Sequence, residues 1–90
     1  MKIVINACYG GFSLSDETAK LLGYIDGCAW GIDRTNPNLV KLVEAGAPVS
    51  GTFAKLKVVE IPEEVTDWEI SEYDGYEEVI YVLNGKLYHA

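Results

Sequence analysis

Apolar and polar positions along the chain change period several times, and each change marks an element. Residues 2–7 form a short β-branched run of the kind found in a strand covered on both faces. It ends at the turn Tyr9-Gly10-Gly11-Phe12. Ser13 and Ser15 then offer side-chain oxygens to cap a helix, Asp16 and Glu17 fall in its first turn where the helix dipole favours negative charge, and Gly23 stops it. The first helix is therefore expected over 15–22. Residues 24–33 contain Gly27, Gly31 and a lone Trp30, and read as an irregular connection. Asn36 can cap a second helix, with Pro37 at its first position, Leu39, Leu42 and Val43 on one side, and Gly46 closing it.

The rest of the chain reads as strands. Residues 55–61 are half alternating and half continuous, and Pro62 stops them. Asp74-Gly75 and Asn84-Gly85 are strong hairpin dipeptides, because both central residues of a type I′ turn need positive φ. They divide the end of the chain into a meander of three strands, 66–73, 76–83 and 86–89. Residues 77–81 could instead continue a helix if Asp74-Gly75 were a helix entry. The predicted order is βααββββ: a single α+β domain over 1–90, a small sandwich with two helices on one face of a mainly antiparallel five-strand sheet. Such a sheet leaves an exposed edge through which protomers could pair, so a homo-oligomer is expected.

Composition narrows the function classes. The 90 residues carry seven Lys plus Arg against fourteen Asp plus Glu, a formal net charge of −7. That balance argues against nucleic-acid and membrane partners, which need clustered Lys and Arg to meet phosphates. The charge is also unevenly placed: residues 1–57 sum to +1 and residues 58–90 to −8. Nine acids and no base lie between Glu60 and Glu78. This 60–78 stretch is either a solvated hairpin face or a surface that attracts a basic partner. Two cysteines, Cys8 and Cys28, allow at most one disulfide. With no signal-peptide pattern and no apolar run long enough to span a bilayer, a cytoplasmic protein with free thiols is expected. Cys8, Cys28 and His89 fall short of a closed zinc site, and no cofactor is called for.

The most chemical feature is the segment from Cys8 to Ser15. A strand delivers the chain to Gly10 and Gly11 and then to a helix start, so backbone N–H groups and the hydroxyls of Ser13 and Ser15 could converge on an anion. The segment lacks the Lys-Ser/Thr pair of a Walker A loop and the third glycine of the dinucleotide fingerprint. A tight turn with capping serines is the competing reading. Arg34, the only arginine, stands with Thr35 just before the cap of the second helix. If the two helix starts face one crevice, Arg34, Thr35 and the Gly10-Gly11 amides make an electropositive pocket; otherwise Arg34 pairs with Asp33 or Asp16 at the surface. Tyr9, Phe12 and Trp30 lie close enough to glycines to stay exposed, and one could stack on a base. The expected ligand-binding set is Tyr9, Gly10, Gly11, Phe12, Ser13, Ser15, Arg34 and Thr35. No catalytic constellation stands out: Cys8 would need a base, and the sole histidine, His89, is at the far end of the chain, so a Cys8-dependent hydrolase is the weaker alternative.

The segments Lys2 to Ser15, Asp33 to Val40, Ala54 to Pro62 and Trp68 to Gly75 together resemble a family of small uncharacterised proteins of tailed bacteriophages and prophages. The chain departs from that pattern after Gly75, in its terminal hairpin, and in a shorter segment around 24–30. The resemblance implies an accessory role in an infected bacterial host and carries over no catalytic residue. Two binding roles follow. In one, the Gly10-Gly11 loop and Arg34 hold a phosphate-bearing small molecule, for example a nucleotide signal of host immunity, as an anti-defence sponge. In the other, the acidic 60–78 face docks on a basic host protein, with Glu63, Glu64, Glu72 and Glu77 as its charges.

Overall fold

The computed structural model describes residues 1–24 and 32–90. The expected readings of Gly27, Cys28, Trp30 and Gly31 lie outside the described residues. The elements run β1 (Lys2–Asn6), α1 (Asp16–Leu22), α2 (Pro37–Glu44), β2 (Leu56–Glu60), β3 (Asp67–Tyr73), β4 (Tyr76–Leu83) and β5 (Lys86–His89). The order is the predicted βααββββ and the class is α+β. Residues 76–83 are strand, because the Asp74-Gly75 turn has φ of 50° and 87°, the type I′ geometry that brings a strand straight back.

Local chemistry accounts for the helix ends. Ser15 caps α1, its hydroxyl accepting from Thr18 N–H, and Gly23 ends it at φ 84°. Asn36 caps α2 by accepting from the N–H groups of Asn38 and Leu39, with Pro37 at the first position. Both helices therefore begin where side-chain oxygens satisfy the donors that the first turn leaves open.

The sheet is where expectation and structure part. The five strands form two sheets instead of one: β1 pairs with β2, and β3, β4 and β5 form a separate antiparallel meander. The division follows from β1, which alternates buried side chains to opposite sides. Val4 joins Phe12, Leu14, Ile32, Leu39 and Val40 in a core beneath the helices. Ile3 and Ile5 join Ile61 and Val79 in a second core, against which Trp68, Ile70 and Tyr81 of the meander pack. The molecule is layered: helices, then the β1–β2 ribbon, then the meander. The helices do lie on one face of the ribbon, and the meander occupies the other. As its sequence pattern predicted, β1 is covered on both faces, with Ile3, Val4, Ile5 and Asn6 all at most 1% exposed.

Candidate functional site

The edge of β1 turned away from β2 would normally present unpaired amides. Here it is closed by other groups. Val4 N–H donates to the Arg34 carbonyl at 2.8 Å, and Asn6 N–H donates to Glu77 Oε1 at 2.8 Å. The Arg34 guanidinium returns along the same edge, with Nη1 donating to Val4 O at 3.2 Å. Arg34 and Glu77 meet in a two-pronged ion pair, Nη1 to Oε1 at 2.7 Å and Nη2 to Oε2 at 3.0 Å, with side chains only 12% and 8% exposed. The guanidinium lies 3.5 Å above the Phe12 ring, a cation–π contact in a desolvated setting. An ion pair and a loop carbonyl thus take the place of a neighbouring strand.

Asn6 extends the knot. Its Nδ2 donates to Cys8 O at 2.7 Å and to Gly75 O at 2.8 Å, while Oδ1 accepts from Lys55 N–H at 2.8 Å. One buried amide therefore ties together the glycine loop, the β3–β4 turn and the start of β2. Among the described residues no buried side-chain polar atom lacks a partner.

These ties bring three loops together at one end of the molecule. A Cβ placed on Gly75 would lie 2.5 Å from Gly11 N, and one on Gly10 would strike the Phe53 carbonyl, so backbones touch where only glycine fits. Tyr9 sits beside Tyr76, ring centroids 5.4 Å apart. Tyr9 is 69% exposed, Phe53 75%, Tyr73 75% and Tyr76 39%. Four solvent-facing aromatic rings at one end, Tyr9 and Phe53 on loops and Tyr73 and Tyr76 at the paired ends of β3 and β4, are unusual for a surface with no partner. The acids Glu72 and Asp74 are exposed on the same turn, Glu72 accepting from Gly75 N–H at 2.9 Å.

The predicted site residues divide. Tyr9, Gly10 and Gly11 form this end surface. Phe12, expected to stay exposed, is buried beneath Arg34 because it completes the core under the helices. Arg34 is neither a free anion clamp nor paired with Asp33 or Asp16, since Glu77 holds both of its terminal nitrogens. Ser13 lies against Gly51, and Ser15 donates to Thr18 Oγ1 at 2.8 Å, so each serves a local turn or cap. Thr35 is turned elsewhere: its hydroxyl donates to Asp33 at 2.7 Å, and with its backbone N–H holds the Asp33 carboxyl below the usual carboxylate range. Thr35 also lines a separate cleft of about 410 Å³ with Lys2, Lys41 and Glu44. The thiol of Cys8 donates to the Phe53 carbonyl at 3.1 Å, and His89 pairs with Glu78 at 3.1 Å on the meander.

Glu77 is the residue that sequence reasoning misplaced. The acid run groups it with the surface charges, yet it is buried at 7% exposure. The alternation of β4 holds the signal: Glu77, Val79 and Tyr81 share one face, and Val79 is fully buried. The other acids of the run are at the surface, with Glu60, Glu63, Glu64, Asp67, Glu69, Glu72 and Asp74 exposed and Glu78 half-buried. No described helix is long and apolar enough to cross a membrane. Comparison with protein-family models, with curated proteins and with solved structures finds no match.

Proposed function

We propose that the protein works by stoichiometric binding in the cytoplasm of an infected bacterium, and that it takes a basic protein at the end formed by Tyr9, Phe53, Tyr73 and Tyr76. The single observation that carries this reading is the backbone contact of the Tyr9–Gly11 loop with Gly75, which sets exposed tyrosines beside Glu72 and Asp74. Lys or Arg side chains of the partner would lie over aromatic faces with carboxylates alongside, each such contact adding about 0.5–1 kcal/mol at an exposed site. The −8 charge of residues 58–90 supports fast encounter with a positive surface. The phosphate-ligand role has less support, because Glu77 already neutralises the one arginine that would hold the anion.

The test is a pulldown from host lysate in low and moderate salt, with native mass spectrometry on the same preparation. A basic protein should be captured by the wild-type chain, released by salt, and lost on Tyr9→Ala with Tyr76→Ala or on Glu72→Gln and Asp74→Asn together. Gln at position 72 keeps an oxygen for Gly75 N–H, so the turn is spared. A co-purifying phosphate-bearing small molecule with no protein partner would overturn the reading in favour of the anion site.

A further inference from the structure

We propose that two copies of this chain pair through β5, antiparallel about a two-fold axis, to make one six-stranded sheet. Val79 and Ala90 exchange both of their backbone hydrogen bonds, at 3.2 and 2.7 Å. Antiparallel alternation then turns the N–H and C=O groups of Lys86 and Tyr88 toward β4, and those of Leu87 and His89 toward the open edge. All four residues of β5 are exposed, Leu87 at 64% and Tyr88 at 39%. The β1–β2 layer packs under Trp68, Ile70, Val79 and Tyr81 of β3 and β4, and no residue of β5 joins either core. The strand therefore overhangs the layer below and leaves room for another beside it.

Charge selects the occupant. The edge of β3 carries Asp67, Glu69 and Glu72, and the edge of β1 is closed by Arg34 and Glu77. β5 has no acid at all, only Lys86 and His89, and its nearest acid on β4, Glu78, is held by a hydrogen bond to the His89 ring at 3.1 Å. The β3 acids lie two strand spacings from β5, hence about 14 Å from a partner's β5, beyond a screening length of about 8 Å at physiological salt. Two strongly acidic copies can meet along this line without bringing their acids together.

The pairing has a definite register. With Tyr88 opposite its own copy, Leu87 exchanges hydrogen bonds with His89 of the partner subunit, and the reverse, so every outward amide is used. Tyr81 and Tyr88 already stack, centroids 5.4 Å apart, and the pairing continues that stack into a row of four rings across the axis. Because the axis is normal to the sheet, both copies present their outer faces to the same side. That axis also reverses the strand direction, so the two aromatic ends face opposite ways and the dimer offers two separate docking ends.

Sedimentation equilibrium from micromolar to millimolar protein tests the pairing. The mass should rise from 9.9 kDa toward twice that value with concentration. Leu87→Pro removes only an outward N–H, at an edge position where proline is tolerated. It should weaken the dimer by about tenfold or more through two lost hydrogen bonds, while the dilute monomer melts near the wild-type temperature. Leu87→Glu, on a side chain already exposed, should do the same by placing an acid of each copy beside the axis, and guards against a misfolded proline variant. A wild-type mass that stays at 9.9 kDa throughout, or dimerisation unchanged by both variants, would overturn the inference. Capture of a basic protein by a monomer would leave the proposed function standing without it, and a dimer that captures nothing would do the converse.

Discussion

At the scale of single residues, the Arg34–Glu77 pair sets the character of the molecule. Both groups are nearly buried, so removing one partner strands the other's charge. Arg34→Met or Glu77→Ala should each cost about 3–5 kcal/mol in urea unfolding. Replacing both with apolar residues should recover only part of that loss. Asn6 N–H would then have no acceptor at the β1 edge, and a stranded buried donor costs about 1–3 kcal/mol. Asp33 gives a smaller, pH-dependent effect. Its carboxyl titrates below its ordinary 3.8 because Thr35 donates to the charged form. A lowered folded-state value means its stabilisation is complete above the unfolded value and is lost as pH falls through the folded one. Melting curves of wild type and Asp33→Ala should differ at neutral pH and converge below pH 3.8.

The elements show how similar local signals acquire different weight. Asp74-Gly75 and Asn84-Gly85 both make type I′ turns, with glycine φ of 87° and 76°. Nothing lies within 4 Å of a Cβ added to Gly85, whereas one on Gly75 would meet the Gly11 backbone. Gly85→Ala should therefore cost only the left-handed strain, about 1–2 kcal/mol. Gly75→Ala should exceed it by about 1 kcal/mol or more, since the glycine loop must move to make room. The two variants compared by chemical denaturation isolate the loop–hairpin contact on which the aromatic end depends. Tyr fluorescence of Gly75→Ala should change as Tyr9 separates from Tyr76, and that of Gly85→Ala should not.

For the whole molecule, β1 couples the layers. Ile3 and Ile5 face the meander and Val4 faces the helices, so neither core can open while the strand remains in place. A domain of this size has about 5–15 kcal/mol of stability in total, and Ile5→Ala should remove about 2–5 kcal/mol of it. Helix content by far-UV dichroism and meander packing by Trp68 fluorescence, read in a Trp30→Phe background, should still fall in one coincident urea transition, with and without Ile5→Ala. Two separate transitions would mean that the layers are independent.

The order of elements, the capped helix starts, both type I′ hairpins and the two-sided burial of β1 were legible in the sequence. Each depends on residues adjacent along the chain: Ser15 and Asn36 on the amides that follow them, Asp74-Gly75 and Asn84-Gly85 on their own φ, and β1 on its unbroken apolar run. What the tertiary structure decided was which groups meet across the chain. The split into two sheets arises because each face of β1 is claimed by a different layer. The pairing of Arg34 with Glu77, 43 residues apart, and the seating of Tyr9 beside Tyr76 arise because Asn6 draws three loops to one end. An acid run reads as uniformly solvated until strand alternation turns one member inward, and a lone arginine reads as free until the fold supplies its carboxylate.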